Sequence, residues 1–71
     1  MGAKKLVLAR YPRARAVHYP EVPGPAWRGV AMRAYWAVYT VEGTRRRRLG
    51  RGPDEAAAWR DAARRLGAEG G

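Results

Sequence analysis

The spacing of apolar positions changes several times along this chain, and each change marks an element. Residues 3–11, AKKLVLARY, fit a short helix with Leu6, Leu8 and Ala9 turned partly inward. They also fit a strand in which Leu6, Leu8 and Arg10 alternate with Val7, Ala9 and Tyr11. We take the helix; Pro12 ends either element because it disfavours the α region at Tyr11. Residues 13–19 set Arg13, Arg15, Val17 and Tyr19 against Ala14, Ala16 and His18, a period of two that predicts an edge strand closed by Pro20. Residues 20–29 form a proline-rich loop whose restricted backbone need not be floppy. In it Trp27 reads as a satellite core contact, with an exposed stacking or partner-binding role as the alternative. Residues 30–34 lead into the central strand.

Residues 35–41, YWAVYTV, are aromatic and β-branched, the types that suit a pleated, half-buried surface. Glu42-Gly43 predicts a two-residue turn, followed by a strand of four consecutive arginines, Arg45 to Arg48. With that turn, Thr40 opposes Arg45, Tyr39 opposes Arg46, Val38 opposes Arg47, Ala37 opposes Arg48 and Trp36 opposes Leu49. Opposed residues share a face. One face then carries Trp36, Val38 and Leu49, with Arg45 and Arg47 at its turn end, and is the core face. The other carries Tyr35, Ala37, Tyr39, Arg46 and Arg48.

The closing helix has both start and stop signals. Pro53 suits a first helical turn, Asp54 and Glu55 suit the positive end of the dipole, Arg64 and Arg65 the negative end, and Gly67 is a natural terminator. A 3.6-residue period places Ala56, Trp59, Ala62, Ala63 and Leu66 on one stripe, with Trp59 as the anchor against Trp36 and Leu49. The expected fold is therefore α+β: a three-stranded antiparallel sheet, a C-terminal helix packed on one face, and a short N-terminal helix. Residues 1–71 make one domain, with 68–71 a disordered tail.

Size and composition narrow the function. A domain of 71 residues buries only about 60% of the surface its unfolded chain exposes, so marginal stability or oligomerisation is expected. With no cysteine and one histidine, thiolate metal sites and disulfides are excluded, and no metal or other cofactor is expected. No apolar run approaches the length of a membrane span or of a signal peptide core; the expectation is a soluble, cytoplasmic protein without a membrane or small-molecule partner. Net charge is +9 with a pI near 11.3, which favours polyanions. The chain also lacks Ser, Asn, Gln, Ile and Phe, the usage of a GC-rich genome, so mutational bias is a second source of arginine.

Enzyme chemistry finds no footing, and the chain reads as a non-enzyme. Thr40 and Thr44 are the only hydroxyls besides tyrosines, His18 has no carboxylate pair or nucleophile beside it in sequence, and the glycines before Pro53 lack the Lys-Ser/Thr of a phosphate loop. What remains is arginine interleaved with aromatics. Tyr35 and Tyr39 with Arg46 and Arg48 offer guanidinium forks for phosphates or guanine edges, and rings on which a base or a guanidinium can stack. Arg45, Arg51, Lys4 and Lys5 extend this basic set. The rival is a protein-interaction or homodimerisation module with Trp27, Val17 and Tyr19 at the contact.

The order αβββα, with Leu49-Gly50-Arg51-Gly52, Glu55-Ala56 and Ala62-Ala63, resembles the double-stranded-RNA-binding domain, which implies duplex RNA as partner. Pro53, Asp54 and Ala57 stand near places where that family uses lysines, and Trp27 lies where it has a loop histidine. Leu49-Gly50 with Asp54 to Ala57 and Asp61-Ala62-Ala63 is also similar to the strands-plus-helix modules of AP2 domains and phage-type integrase arms, which implies DNA contact through the open sheet face. The Leu-Gly-x-Gly, acidic, Ala-Trp ending is similar to small prophage proteins.

Overall fold

A computed structural model describes residues 2–27 and 29–70. In chain order these form α1 (Ala3–Arg10), β1 (Arg15–Tyr19), β2 (Val22–Pro23), β3 (Val30–Met32), β4 (Tyr35–Glu42), β5 (Arg45–Gly52) and α2 (Glu55–Gly70). Strands β1, β4 and β5 make an antiparallel sheet in the order β1-β4-β5, with β1 an edge and β4 central. Both helices lie on one side of it, joined by a core of Val7, Ala14, Val38, Leu49, Ala58, Trp59 and Ala62. The fold is thus the expected α+β arrangement, with residues 3–10 helical. β1 is shorter than the period-two run because Pro12 and Arg13 form a turn in which the Ala14 N–H donates to the Tyr11 carbonyl at 3.0 Å.

The β4–β5 hairpin corrects the expected register. The turn is Gly43-Thr44, flanked by the pair Glu42↔Arg45. Gly43 takes φ +64° while Thr44 does not go positive, the requirement of a turn with glycine at its first central position. Tyr39 therefore faces Arg48, and Val41 faces Arg46. The slip is two residues in all, so every side chain keeps its face up to this point. Beyond Tyr39 a bulge intervenes and Val38 pairs with Gly50, Ala37 with Arg51, and Trp36 with Gly52. One extra residue reverses the alternation of everything after it. Gly50 and Gly52 now lie on the helix side, Arg51 joins the open face, and Leu49 stays buried.

The two glycines let α2 approach. A Cβ on Gly50 would lie 2.4 Å from the Ala62 nitrogen and 2.9 Å from the Ala58 carbonyl oxygen, and one on Gly52 would lie 2.6 Å from the Ala57 Cβ. Backbone thus packs on backbone, and the residues at the contact are small. This revises the helix stripe: Ala58 is fully buried, whereas Ala56 is exposed. Pro53 precedes the helix, and Asp54 is its cap, accepting the Ala57 N–H at 2.7 Å. Gly67 does not end α2, whose helical backbone runs as far as Gly70. Residue 71 lies outside the described residues.

In α1 the inward residue is Val7, not Leu6 or Ala9, which are exposed; Leu8 is partly buried. Trp59 is 5% exposed and belongs to the same cluster as Leu49, with Trp36 packed at its margin. Its indole N–H reaches the Glu55 carboxylate at 3.4 Å, and the Lys4 ammonium sits 5.6 Å from its ring.

Residues 22–32 hold a feature that the pattern did not predict. β2 and β3 pair with each other and with no other strand, closed by Gly24 N–H to the Gly29 carbonyl at 2.8 Å. Trp27, near the turn of this hairpin, is 81% exposed rather than folded back on the core, and Val22 and Met32 are exposed with it. The hairpin stretches the molecule: the radius of gyration is 14.1 Å against about 11 Å for a compact chain of this length.

Two substitutions test this packing by thermal or urea unfolding. Trp59→Ala should cost about 3 to 5 kcal/mol, and unchanged stability would show that the indole is no anchor. Gly50→Ala should cost about 1 to 3 kcal/mol or more, because its methyl meets helix backbone that cannot rotate away. Gly67→Ala, where nothing lies within 4 Å of the added Cβ, should instead gain up to about 1 kcal/mol.

Candidate nucleic-acid interface

The face of the sheet turned away from both helices is laid out by the strand registers. Arg15 of β1, Tyr39 of β4 and Arg48 of β5 form one cross-strand row; Val17, Ala37 and Arg51 form the next; Tyr19 pairs with Tyr35, and Val41 with Arg46 at the turn end. No carboxylate occurs in these rows. Ala37 is completely buried beneath its larger neighbours, so the face is a packed layer of rings and guanidiniums.

The aromatic contacts are specific. The Tyr19 and Tyr35 rings stack at 4.8 Å with 13° between their planes, and Tyr19 meets Tyr39 edge-on at 6.4 Å. The Tyr19 hydroxyl donates to the Tyr39 oxygen at 2.9 Å. This hydrogen bond, with burial among the rings, holds the Tyr39 hydroxyl above its ordinary value of 10.0 and so keeps it neutral. Arg46 lies 4.3 Å from the centre of the Tyr39 ring and Arg51 lies 5.0 Å from that of Tyr35, both within cation–π range.

Of the residues expected at the site, Tyr35, Tyr39, Arg46, Arg48 and Arg51 come together here. Lys4 does not: it sits over Trp59 on the helix side. Lys5 is exposed on α1, which packs on α2. Arg45 opposes Glu42 at the hairpin end, on the face that it shares by register with Arg47. Val17 and Tyr19, expected at a protein contact, belong to the open face, whereas Trp27 belongs to the β2–β3 hairpin. Two arginines were missed. Arg15 was visible as the outward phase of its strand, but its register beside Tyr39 was not. Arg33 lines a notch of about 360 Å³ together with Tyr35, Arg51, Gly52 and Pro53, at a junction that no sequence signal marks.

One carboxylate ties this face to the helix behind it. Asp61 of α2 accepts the backbone N–H of Arg51 at 3.0 Å and forms ion pairs with Arg64 and Arg65. The Arg51 amide is the chief cause that holds the Asp61 carboxyl below its ordinary 3.8; partial burial opposes it, and the two guanidiniums reinforce it. Among the described residues no group of His, Cys, Asp or Glu could hold a metal ion, and no helix is long and apolar enough to cross a membrane. Comparison with protein-family models, curated proteins and solved structures finds no match to this chain.

Because the folded-state value of Asp61 is depressed, its contribution to stability is fully present above pH about 4 and is lost as pH falls through the folded value. Asp61→Asn should cost about 1 to 2 kcal/mol at neutral pH and should flatten the acid limb of the stability profile. An unchanged acid limb would show that Asp61 does not clamp β5.

Proposed function

We propose that this chain is a small basic nucleic-acid-binding domain, non-specific or weakly specific, that uses its open sheet face. One observation carries the reading: Arg15, Arg46, Arg48 and Arg51 share with three tyrosines the sheet face that neither helix covers, and the registers place no carboxylate among them. Such a face attracts a phosphate backbone by charge and shape. Its guanidiniums supply planar forks of donors that match phosphate oxygens two at a time.

The double change Arg46→Ala with Arg48→Ala should weaken binding to labelled nucleic acid across sequences. It should also lower the slope of log affinity against log salt by about 1 to 2 units, one counterion for each lost phosphate contact. Stability should hardly move, because exposed arginines contribute little. The matched control is Arg60→Ala with Lys5→Ala, which removes equal charge from the helix side. Equal losses from both pairs would mean that net charge alone attracts the polyanion.

The exposure of Trp27, Val22 and Met32 on the β2–β3 hairpin favours a second reading, a protein-interaction or homodimerisation module. Trp27→Ala should leave the fold intact and, on this reading alone, abolish an association that survives high salt. Sedimentation at low and high salt separates the two.

A further inference from the structure

We propose that Tyr35 and Tyr39 are positioning residues: their rings hold Arg51 and Arg46 for the phosphates of a polynucleotide, and they stack no base. This rests on the nucleic-acid reading above and narrows what the face recognises. A ring can receive a base only on a free face. Tyr35 has Tyr19 stacked at 4.8 Å and the Arg51 guanidinium 5.0 Å from its centre. A parallel ring and a guanidinium cannot occupy the same side, so both faces of Tyr35 are covered. Tyr39 carries Arg46 at 4.3 Å, and its hydroxyl is tied to Tyr19. A base that stacked on Tyr35, or on the side of Tyr39 that carries Arg46, would first have to displace a guanidinium or the Tyr19 ring, exchanging one π contact for another.

What the rings leave available is the rim of each guanidinium. Its five N–H donors lie in one plane, so a guanidinium laid against a ring keeps its edge donors for phosphate oxygens. The ring also removes rotamer freedom from a long side chain before the partner arrives, a cost otherwise met on binding. Tyr19 completes the device by bracing both rings, through stacking on one and a hydrogen bond to the other. Arg46, Arg48 and Arg51 follow one edge strand over a length of about 17 Å at 3.4 Å per residue. That is a row of donors suited to successive phosphates and indifferent to the bases they carry.

The test compares a labelled single-stranded oligonucleotide with an abasic sugar–phosphate strand of the same length, by fluorescence anisotropy at several salt concentrations. Affinity for the abasic strand is expected within about threefold of the other, because the phosphates supply the attraction. A drop of roughly five- to 150-fold for each base that stacks would overturn the proposal and leave the nucleic-acid reading standing. Failure of both strands to bind at low salt would overturn both. Tyr39→Leu should weaken binding to either strand about two- to fivefold, the worth of an exposed cation–π contact, without changing the salt slope. Tyr39→Phe, which keeps the ring, should restore it. Arg46→Lys, at an exposed position that does not threaten the fold, keeps the charge but not the planar fork and should lose a similar factor. Wild-type affinity in both Tyr39→Leu and Arg46→Lys would show that the ring positions nothing.

Discussion

The structure depends on how closely α2 lies on β5. Gly50 and Gly52 present bare backbone to Ala57, Ala58 and Ala62, at distances where any added Cβ would collide with helix backbone or with the Ala57 methyl. In a chain this short the core holds few large side chains, and close approach recovers by dispersion what volume cannot supply. The glycines reach that position only because a bulge falls between Arg48 and Gly50. Were the register of the turn end continued unbroken, Val38 would face Leu49, Ala37 would face Gly50 and Trp36 would face Arg51. The glycines would then lie on the open face, and an arginine would lie under the helix.

The same bulge therefore builds the outer face. It brings Arg51 beside Tyr35 and leaves Arg46 and Arg48 where the hairpin turn puts them, so one local irregularity serves both the core and the cationic surface. Charge is sorted accordingly. Asp61 holds Arg64 and Arg65, Glu42 holds Arg47, Asp54 caps α2 and Glu55 meets the Trp59 indole. These carboxylates are engaged at the helices or at the hairpin end, while on the sheet face Arg46 and Arg51 lie on tyrosine rings. A mutational drift towards arginine would add charge without regard to face. What is sorted is the acids, which keep off the rows of the open face, whereas arginines stand on both sides of the sheet.

Much of this architecture was legible because its signals are local. The aromatic and β-branched run of β4, the alternation and closing proline of β1, and the acidic start of α2 each name an element from adjacent residues. The faces of the hairpin were also legible up to Tyr39, since a turn displaced from Glu42-Gly43 to Gly43-Thr44 moves partners by two and preserves alternation. The bulge was not legible. Glycine at positions 50 and 52 reads locally as loop punctuation before Pro53, and its meaning lies in a helix that packs there from later in the chain. For the same reason the apolar stripe of α2 was legible only in part: Trp59, Ala62, Ala63 and Leu66 turn inward as the period places them, but facing glycine the helix also buries Ala58 and leaves Ala56 exposed. The β2–β3 hairpin was hidden by its prolines, which read as loop although Val22–Pro23, with a proline inside the strand, pairs with Val30–Met32.

Gathering guanidiniums on one face carries an electrostatic cost, because like charges on one surface oppose the compact state. The structure offsets that cost in two ways. The rings of Tyr35 and Tyr39 place electron-rich faces against Arg51 and Arg46, and Asp61 grips the backbone of Arg51 from behind, so that the strand is fixed without neutralising its side chain. Neither device cancels the charge. Residual repulsion stays in the free protein, and a bound polyanion would relieve it. On the function proposed above, binding of such a partner would stabilise the fold by mass action.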